Sequence, residues 1–186
     1  MLNSFHLHGA VRALQSGGVI AYPTEGVWGL GCDPFDAQAV ARLLALKRRV
    51  PAKGLILVAA AIEQFEPWFA PLSDAQRRQL ESTWPGPATW LVPHNGSVPE
   101  WITGSRPVVA LRVSAHPPVV ELCRRFGGPL VSTSANPSGR PPARDALRAR
   151  RYFAGALDYV LQAPLGGQRG PTPIRDLRDG SLRRPG

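Results

Sequence analysis

Short apolar runs, most of them rich in β-branched residues, alternate along this chain with stretches whose apolar residues recur at helical spacing. Glycine or proline stands at nearly every junction between them. Runs this short suit interior strands, and the longer periodic stretches suit helices packed on a sheet. Residues from about Leu7 to Gln15 predict a helix that stops at Ser16-Gly17-Gly18. Val19 to Tyr22 predicts a buried strand ended by Pro23, and Asp36 to Leu46 a second helix capped by Asp36. Leu55 to Val58 predicts a strand, Ser73 or Asp74 to Ser82 a helix, and Ala88 to Val92 a strand after the turn Trp84-Pro85-Gly86-Pro87. Val108 to Val113 predicts a strand, His116-Pro117-Pro118 opens a helix to Phe126, and Leu130 to Thr133 predicts a strand. Ala143 to Phe153 reads as a helix, and Leu157–Leu161, Ile174–Asp176 and Ser181–Arg183 as further strands. Such alternation points to an α/β layer architecture with a mixed sheet. No repeat, linker or low-complexity stretch interrupts it, so a single domain over residues 1–186 is expected.

Formal net charge is +9, with part of it on arginines from Arg144 to Arg184, which favours anionic partners: nucleotides, RNA or an acidic membrane surface. The two cysteines, Cys32 and Cys123, lack CxxC spacing and are expected as reduced, buried thiols. The N-terminus lacks the build of a signal peptide, and the longest apolar run, Leu55 to Ile62, is too short to span a bilayer. A cytoplasmic protein with no membrane partner is the expectation.

No GxxxxGK[ST] loop, GxGxxG fingerprint, HExxH, paired-cysteine zinc pattern or GxSxG elbow is present. Polar groups gather instead at the predicted strand ends, where open α/β sheets bind ligands. Tyr22 to Gly31 offers a hydroxyl, a carboxylate, aromatic walls and glycines that admit a ligand to the backbone. Lys47, Arg48, Arg49 and Lys53 place four cations at a helix end beside a buried strand. Capping of the helix dipole needs fewer, and the set would suit a triphosphate. Ser132 to Gly139 follows a buried strand with hydroxyls and an amide that could hold phosphate or ribose. Arg112 interrupts an apolar strand and must meet either a structural or a ligand carboxylate. Thr89 is a weaker candidate that could equally be packing, and His6, His8, His94 and His116 are read as non-catalytic.

In their order, "YPTEGVWGLGCDP", "LKRRVPAKGLILV", "WPGPATWLVP", "ALRVSAHP", "PLVSTSANPSGRPP" and "PIRDLRDG" resemble the YrdC/TsaC family of threonylcarbamoyl-AMP synthases. The likeness runs from about Gly18 to Gly180. It implies a YrdC-like twisted mixed sheet with flanking helices around a concave basic cavity. The implied reaction joins L-threonine, bicarbonate and ATP, with Mg²⁺, into L-threonylcarbamoyladenylate and pyrophosphate. A separate tRNA-modifying transferase complex would then use the product, and the enzyme would bind tRNA weakly itself. The resemblance puts the nucleotide and phosphate site on Lys47, Arg49, Ser132, Ser134 and Asn136, with Lys47 and Arg49 as the catalytic cations. It puts threonine contacts on Thr24, Lys53 and Arg112, and adds Thr89 to the cavity lining. No metal ligands are assigned, because Mg²⁺ would ride mainly on the nucleotide. The stretch Pro171-Thr172-Pro173 departs from the family's Pro-Ser-Thr-Ile pattern, which leaves Thr172 without an assigned role.

Both reactants are anionic, so bringing a carbamate to the α-phosphorus needs cations that neutralise charge and hold the geometry. An RNA-binding or ribosome-associated module without catalysis is the alternative that the net charge allows, although no RRM, KH or double-stranded RNA-binding signature is present. A carbamoyl-adenylate-forming enzyme like the domain of hydrogenase-maturation carbamoyltransferases is a second alternative, and its relatives carry zinc fingers that two cysteines cannot build.

Overall fold

A computed structural model describes residues 4–186, so the first three residues of the expected domain lie outside it. Its helices are α1 (Ser4–Gln15), α2 (Ala37–Lys47), α3 (Asp74–Glu81), α4 (Glu100–Thr103), α5 (Pro117–Phe126) and α6 (Ala146–Phe153). Its strands are β1 (Ile20–Pro23), β2 (Trp28–Gly31), β3 (Ile56–Ala59), β4 (Thr89–Pro93), β5 (Val108–Val113), β6 (Leu130–Ser134), β7 (Tyr159–Val160), β8 (Ile174–Asp176) and β9 (Leu182–Arg184). They form one twisted sheet in the order β7-β1-β2-β6-β3-β5-β4-β8-β9. The pairs β1/β7, β3/β5 and β4/β8 are parallel and the other neighbours antiparallel, so the sheet is mixed.

Side-chain alternation divides the core between the two sheet faces. Val19, Ala21, Leu57, Ala59, Val109, Leu111, Val113 and Val131 join one cluster, which takes in α2 through Val40, Leu43 and Leu44 and α6 through Ala149 and Phe153. Ile20, Tyr22, Val58 and Leu130 join the other, beneath Leu7, Ala10, Val11 and Leu14 of α1 and Val119, Leu122 and Cys123 of α5. Both cysteines are free and buried, and burial pushes both thiols up, Cys123 to about 12.

Local chemistry accounts for the helix starts. Asp36 accepts from the backbone N–H of Gln38 and Ala39 at the head of α2. Ser73 and Gln76 form a capping box on α3. Helix α6 begins at Ala146 and not at Ala143, because Ala143 is drawn into the sheet margin. Its N–H donates to the Ala135 carbonyl, and its own carbonyl accepts from Trp28 N–H. Strand β2 was hidden in the sequence by its glycines. Gly31 is needed there because a Cβ would lie 2.5 Å from the Val131 carbonyl and 2.7 Å from the Tyr22 ring. Pro23 belongs to β1 instead of ending it, opposite Trp28 at the mouth of the hairpin. The short α4 was not anticipated, since it has no periodic apolar face to read. No helix among the described residues is long and apolar enough to cross a membrane.

Leu111 stands near the middle of β5, fully buried and paired in register with Leu57 and Trp90. Leu111→Ala should lower the unfolding free energy by about 2–5 kcal/mol, measured by denaturant titration at unchanged slope.

Candidate active site

On the face carrying α1 and α5, the helical cover stops short, and the uncovered part of the sheet floors a cavity of about 340 Å³. Seven neighbouring strands each contribute: Gly29, Ser132 and Ser134, Ile56, Ala110 and Arg112, Leu91, Ile174, and Arg184. Along β5 the parity is strict, with Val108, Ala110 and Arg112 toward the cavity and Val109, Leu111 and Val113 toward the opposite core. The site is therefore a sheet face and not the row of strand ends that the sequence suggested. With most neighbours antiparallel, the sheet has no common carboxyl edge at which ligand groups could collect.

Further walls come from chain segments that are tied down individually. After α2, Arg48 takes a left-handed conformation (φ 50°) and turns the chain, which sends Arg49 to the cavity while Arg48 stays in solvent. Arg49 Nη2 donates to the Gly54 carbonyl at 2.9 Å. Gly54 itself has φ 63° and packs under α4, where a Cβ would sit 3.0 Å from the Thr103 carbonyl. Lys53 lines the same wall, and Arg106, which the sequence reading missed, stands beside it and donates to the Ala52 carbonyl at 2.9 Å. Thr24 reaches the cavity from the β1–β2 turn with its hydroxyl donated to the Val27 carbonyl at 2.8 Å. Its oxygen lone pairs remain to accept from a ligand.

The charge balance of this wall is one-sided. Arg49, Lys53, Arg106, Arg112 and Arg184 line it, and no aspartate or glutamate is among its lining residues. Burial and then Arg106 lower the pKa of Arg49. Lost hydration, then Arg49 and Arg112, lower that of Arg184. Cations that weaken one another in this way gain when an anion enters. A carboxylate does stand just behind the wall, that of Glu25, whose Oε2 lies 3.2 Å from Arg112 Nη1. Among the described residues no three His, Cys, Asp or Glu side chains are grouped as metal ligands would be. The wall offers hydroxyls and cations, so it does not build a divalent-cation cage of its own.

Lys47 and Asn136 stand behind the wall and not on it. The Lys47 ammonium, only 3% exposed, donates to the carbonyls of Ser134 and Asn136, the latter at 2.9 Å. Ser138 N–H returns a bond to the Lys47 carbonyl at 2.8 Å. Asn136 Nδ2 donates to the carbonyls of Pro137 and Arg140, and its buried Oδ1 is without a partner. The end of α2 is thus stapled to the loop after β6. Thr89 likewise lies behind the wall, its hydroxyl 2.9 Å from that of Thr172, which does line the cavity. Of the residues singled out from the sequence, Thr24, Arg49, Lys53, Arg112, Ser132 and Ser134 line one cavity, and Lys47, Thr89 and Asn136 support it.

A family model, Sua5_yciO_yrdC, described as telomere recombination, matches residues 12–186. The chain belongs to the Sua5/YciO/YrdC family. A Sua5/YciO/YrdC relative from Cellvibrio japonicus (strain Ueda107), named threonylcarbamoyl-AMP synthase, is 58% identical over 95% of this chain and 93% of its own. One of the same name from Stutzerimonas stutzeri (strain A1501) is 55% identical over 100% of both chains. Among solved structures, P. abyssi Sua5 complexed with L-threonine superposes with a TM-score of 0.91 at 28% identity. That match covers 98% of this chain and 54% of the Sua5 chain, so this chain spans about half of it.

Arg106, Thr172 and Arg184 were not legible as wall residues, since each stands just outside a strand predicted from the sequence, where alternation does not say which way a side chain faces. The structure also allows a test of the Lys47 staple. Burial and then Arg49 lower the Lys47 pKa from 10.5 to about 8. Between those values the unfolded chain keeps a proton that the folded chain has released, so stability contributed through this group rises with pH across the window. The melting temperature of the wild type relative to Lys47→Met should therefore climb between about pH 7.5 and 10. A difference flat in pH would show that the ammonium titrates normally.

Proposed function

We propose that this chain is a threonylcarbamoyl-AMP synthase, a nucleotidyltransferase that converts L-threonine, bicarbonate and ATP to L-threonylcarbamoyladenylate, pyrophosphate and water. The observation that carries the reading is a cavity walled by five cations and by the hydroxyls of Thr24, Ser132, Ser134 and Thr172, with no acidic residue among its lining. Two anions, a carbamate and a triphosphate, must meet in such a reaction, and a wall of this composition neutralises both. The names of close relatives and the threonine-bound Sua5 structure support threonine as a substrate and threonylcarbamoyl-AMP as the product.

In this reading Arg49, with Ser132 and Ser134, holds the phosphates, and charge that develops on departing pyrophosphate falls to Arg49 and its neighbours Arg106 and Arg184. Lys47 and Asn136 keep the Ser134 loop in place, and Lys47 lends positive charge from behind it. Arg112 takes the carboxylate of the amino acid, Thr24 accepts from its hydroxyl or carbamate N–H, and Lys53 closes the rim. Mg²⁺ would arrive on the phosphates, and no step here depends on a protein-held metal. The product, a mixed anhydride, would pass to a transferase complex that modifies tRNA in the cytoplasm, with weak tRNA binding by this chain.

Purified protein with ATP, Mg²⁺ and bicarbonate should release pyrophosphate only when L-threonine is added. Arg49→Ala should lower kcat/KM by about a hundredfold, and Lys47→Ala should abolish most turnover through loss of the staple. Absence of threonine-dependent release, together with tight salt-sensitive RNA binding, would replace this reading with that of a binding module.

A further inference from the structure

Arg112 owes its placement to groups that never touch the cavity. Its residue is 5% exposed, and so small an opening requires a counter-charge. That charge is Glu25, 6% exposed, at 3.2 Å from Nη1. The approach is coulombic and not an aligned hydrogen bond, for Glu25 Oε2 has no hydrogen-bond partner and neither does the buried Arg112 Nε. Arg112 is held by charge while its Nε donor is left uncommitted.

Glu25 is in turn fixed from three directions. Ser114 Oγ, two residues beyond Arg112 along the chain, donates to Oε1 at 2.7 Å. Ser114 Oγ itself accepts from His116 N–H at 3.1 Å, and His116 Nε2 lies 3.1 Å from the Pro164 carbonyl. The Glu25 carbonyl accepts from Gln168 N–H at 2.9 Å, and the Thr24 carbonyl from Gly166 N–H at 3.1 Å. The adjoining Gly26 touches this segment so closely that a Cβ would fall 1.8 Å from the Gly170 carbonyl. The turn carrying Glu25 is thereby clamped between β5 and residues 164–170.

We propose that Glu25 is a positioning residue for amino-acid binding. Its carboxylate, oriented by Ser114, aims the Arg112 guanidinium into the cavity and balances its charge, without itself meeting substrate. This rests on the reading that Arg112 receives the carboxylate of threonine. Glu25→Gln keeps the shape and removes the charge, so Arg112 loses its restraint and turns away from a wall already crowded by Arg184.

The test is steady-state kinetics of pyrophosphate release, varying threonine and ATP separately, for wild type, Glu25→Gln, Arg112→Lys and the double variant, with melting temperatures alongside. Glu25→Gln should raise the KM for threonine about tenfold or more and that for ATP less than about twofold. The double variant should be no worse than Arg112→Lys alone. If Arg112→Lys leaves the threonine KM unchanged, the carboxylate assignment of Arg112 is wrong and this inference goes with it. If Arg112→Lys raises it and Glu25→Gln does not, positioning by Glu25 alone is overturned. Equal rises in both KM values with a lower melting temperature would make Glu25 a structural residue only. Should Glu25→Gln fail to fold, Ser114→Ala decides the matter: the proposal requires a selective rise in threonine KM, and no rise overturns it.

Discussion

Strand alternation across β5 governs both the stability and the site of this protein. Each residue of that strand belongs to one of two environments, a dry core shared with α2 and α6 or a polar cavity, and neighbours along the chain never share one. A register slip of one residue would bury Arg112 among Leu57, Trp90 and Val131 and turn Leu111 toward the cavity. The packing of Leu111 against Leu57 and Trp90 thus also holds the arginine in place. Because α1 and α5 cover only one stretch of the same face, the part they leave bare becomes the floor of the cavity, which the segments carrying Thr24, Arg49, Lys53 and Arg106 then wall in.

That surface is electrostatically unsatisfied by construction. Five cations share it, and the Glu25 carboxylate is engaged behind the wall with Arg112 and Ser114. Mutual repulsion is tolerated because backbone carbonyls of Ala52 and Gly54 take Arg106 and Arg49, and that of Thr172 takes Arg184 at 2.9 Å. Carbonyl dipoles solvate the guanidinium groups without cancelling their charge, which leaves a field for an anionic ligand to relieve.

Much of the fold could be read from the chain, and the reasons are local. Short apolar runs, an Asp36 cap and a Ser73–Gln76 box state their own structure. Strand β5 and the helix opened by Pro117 carry boundaries that proline and β-branched residues dictate. The glycine-bearing β2 did not state its own, since only the Tyr22 ring and the Val131 carbonyl, distant in sequence, make glycine necessary there. For the candidate site, residue type marked Arg112 and the segments that carry Thr24, Arg49 and Ser134, and the family resemblance singled out those residues, but neither told which lysine faces the cavity. Lys47 and Lys53 have the same chemistry in sequence, and only the fold turns one toward the loop backbone and the other toward the cavity. Arg106 and Arg184 were beyond reach for the same reason.

The clamp at Gly26 has a consequence for how the molecule comes into being and how it can be dismantled. Residues 161–173 carry no regular structure and expose Gln162, Pro164, Gly166, Gly167 and Arg169, yet they alone connect β8 and β9 to the rest of the chain. During synthesis the nascent chain holds Thr24 and Arg49 long before Arg184 emerges, so the cavity is incomplete until the final strand docks. A single proteolytic nick within that connection would release Ile174 and Arg184 from covalent register while leaving both hydrophobic clusters largely intact. Loss of a complete cavity wall and loss of the folded state are therefore separable events in this protein.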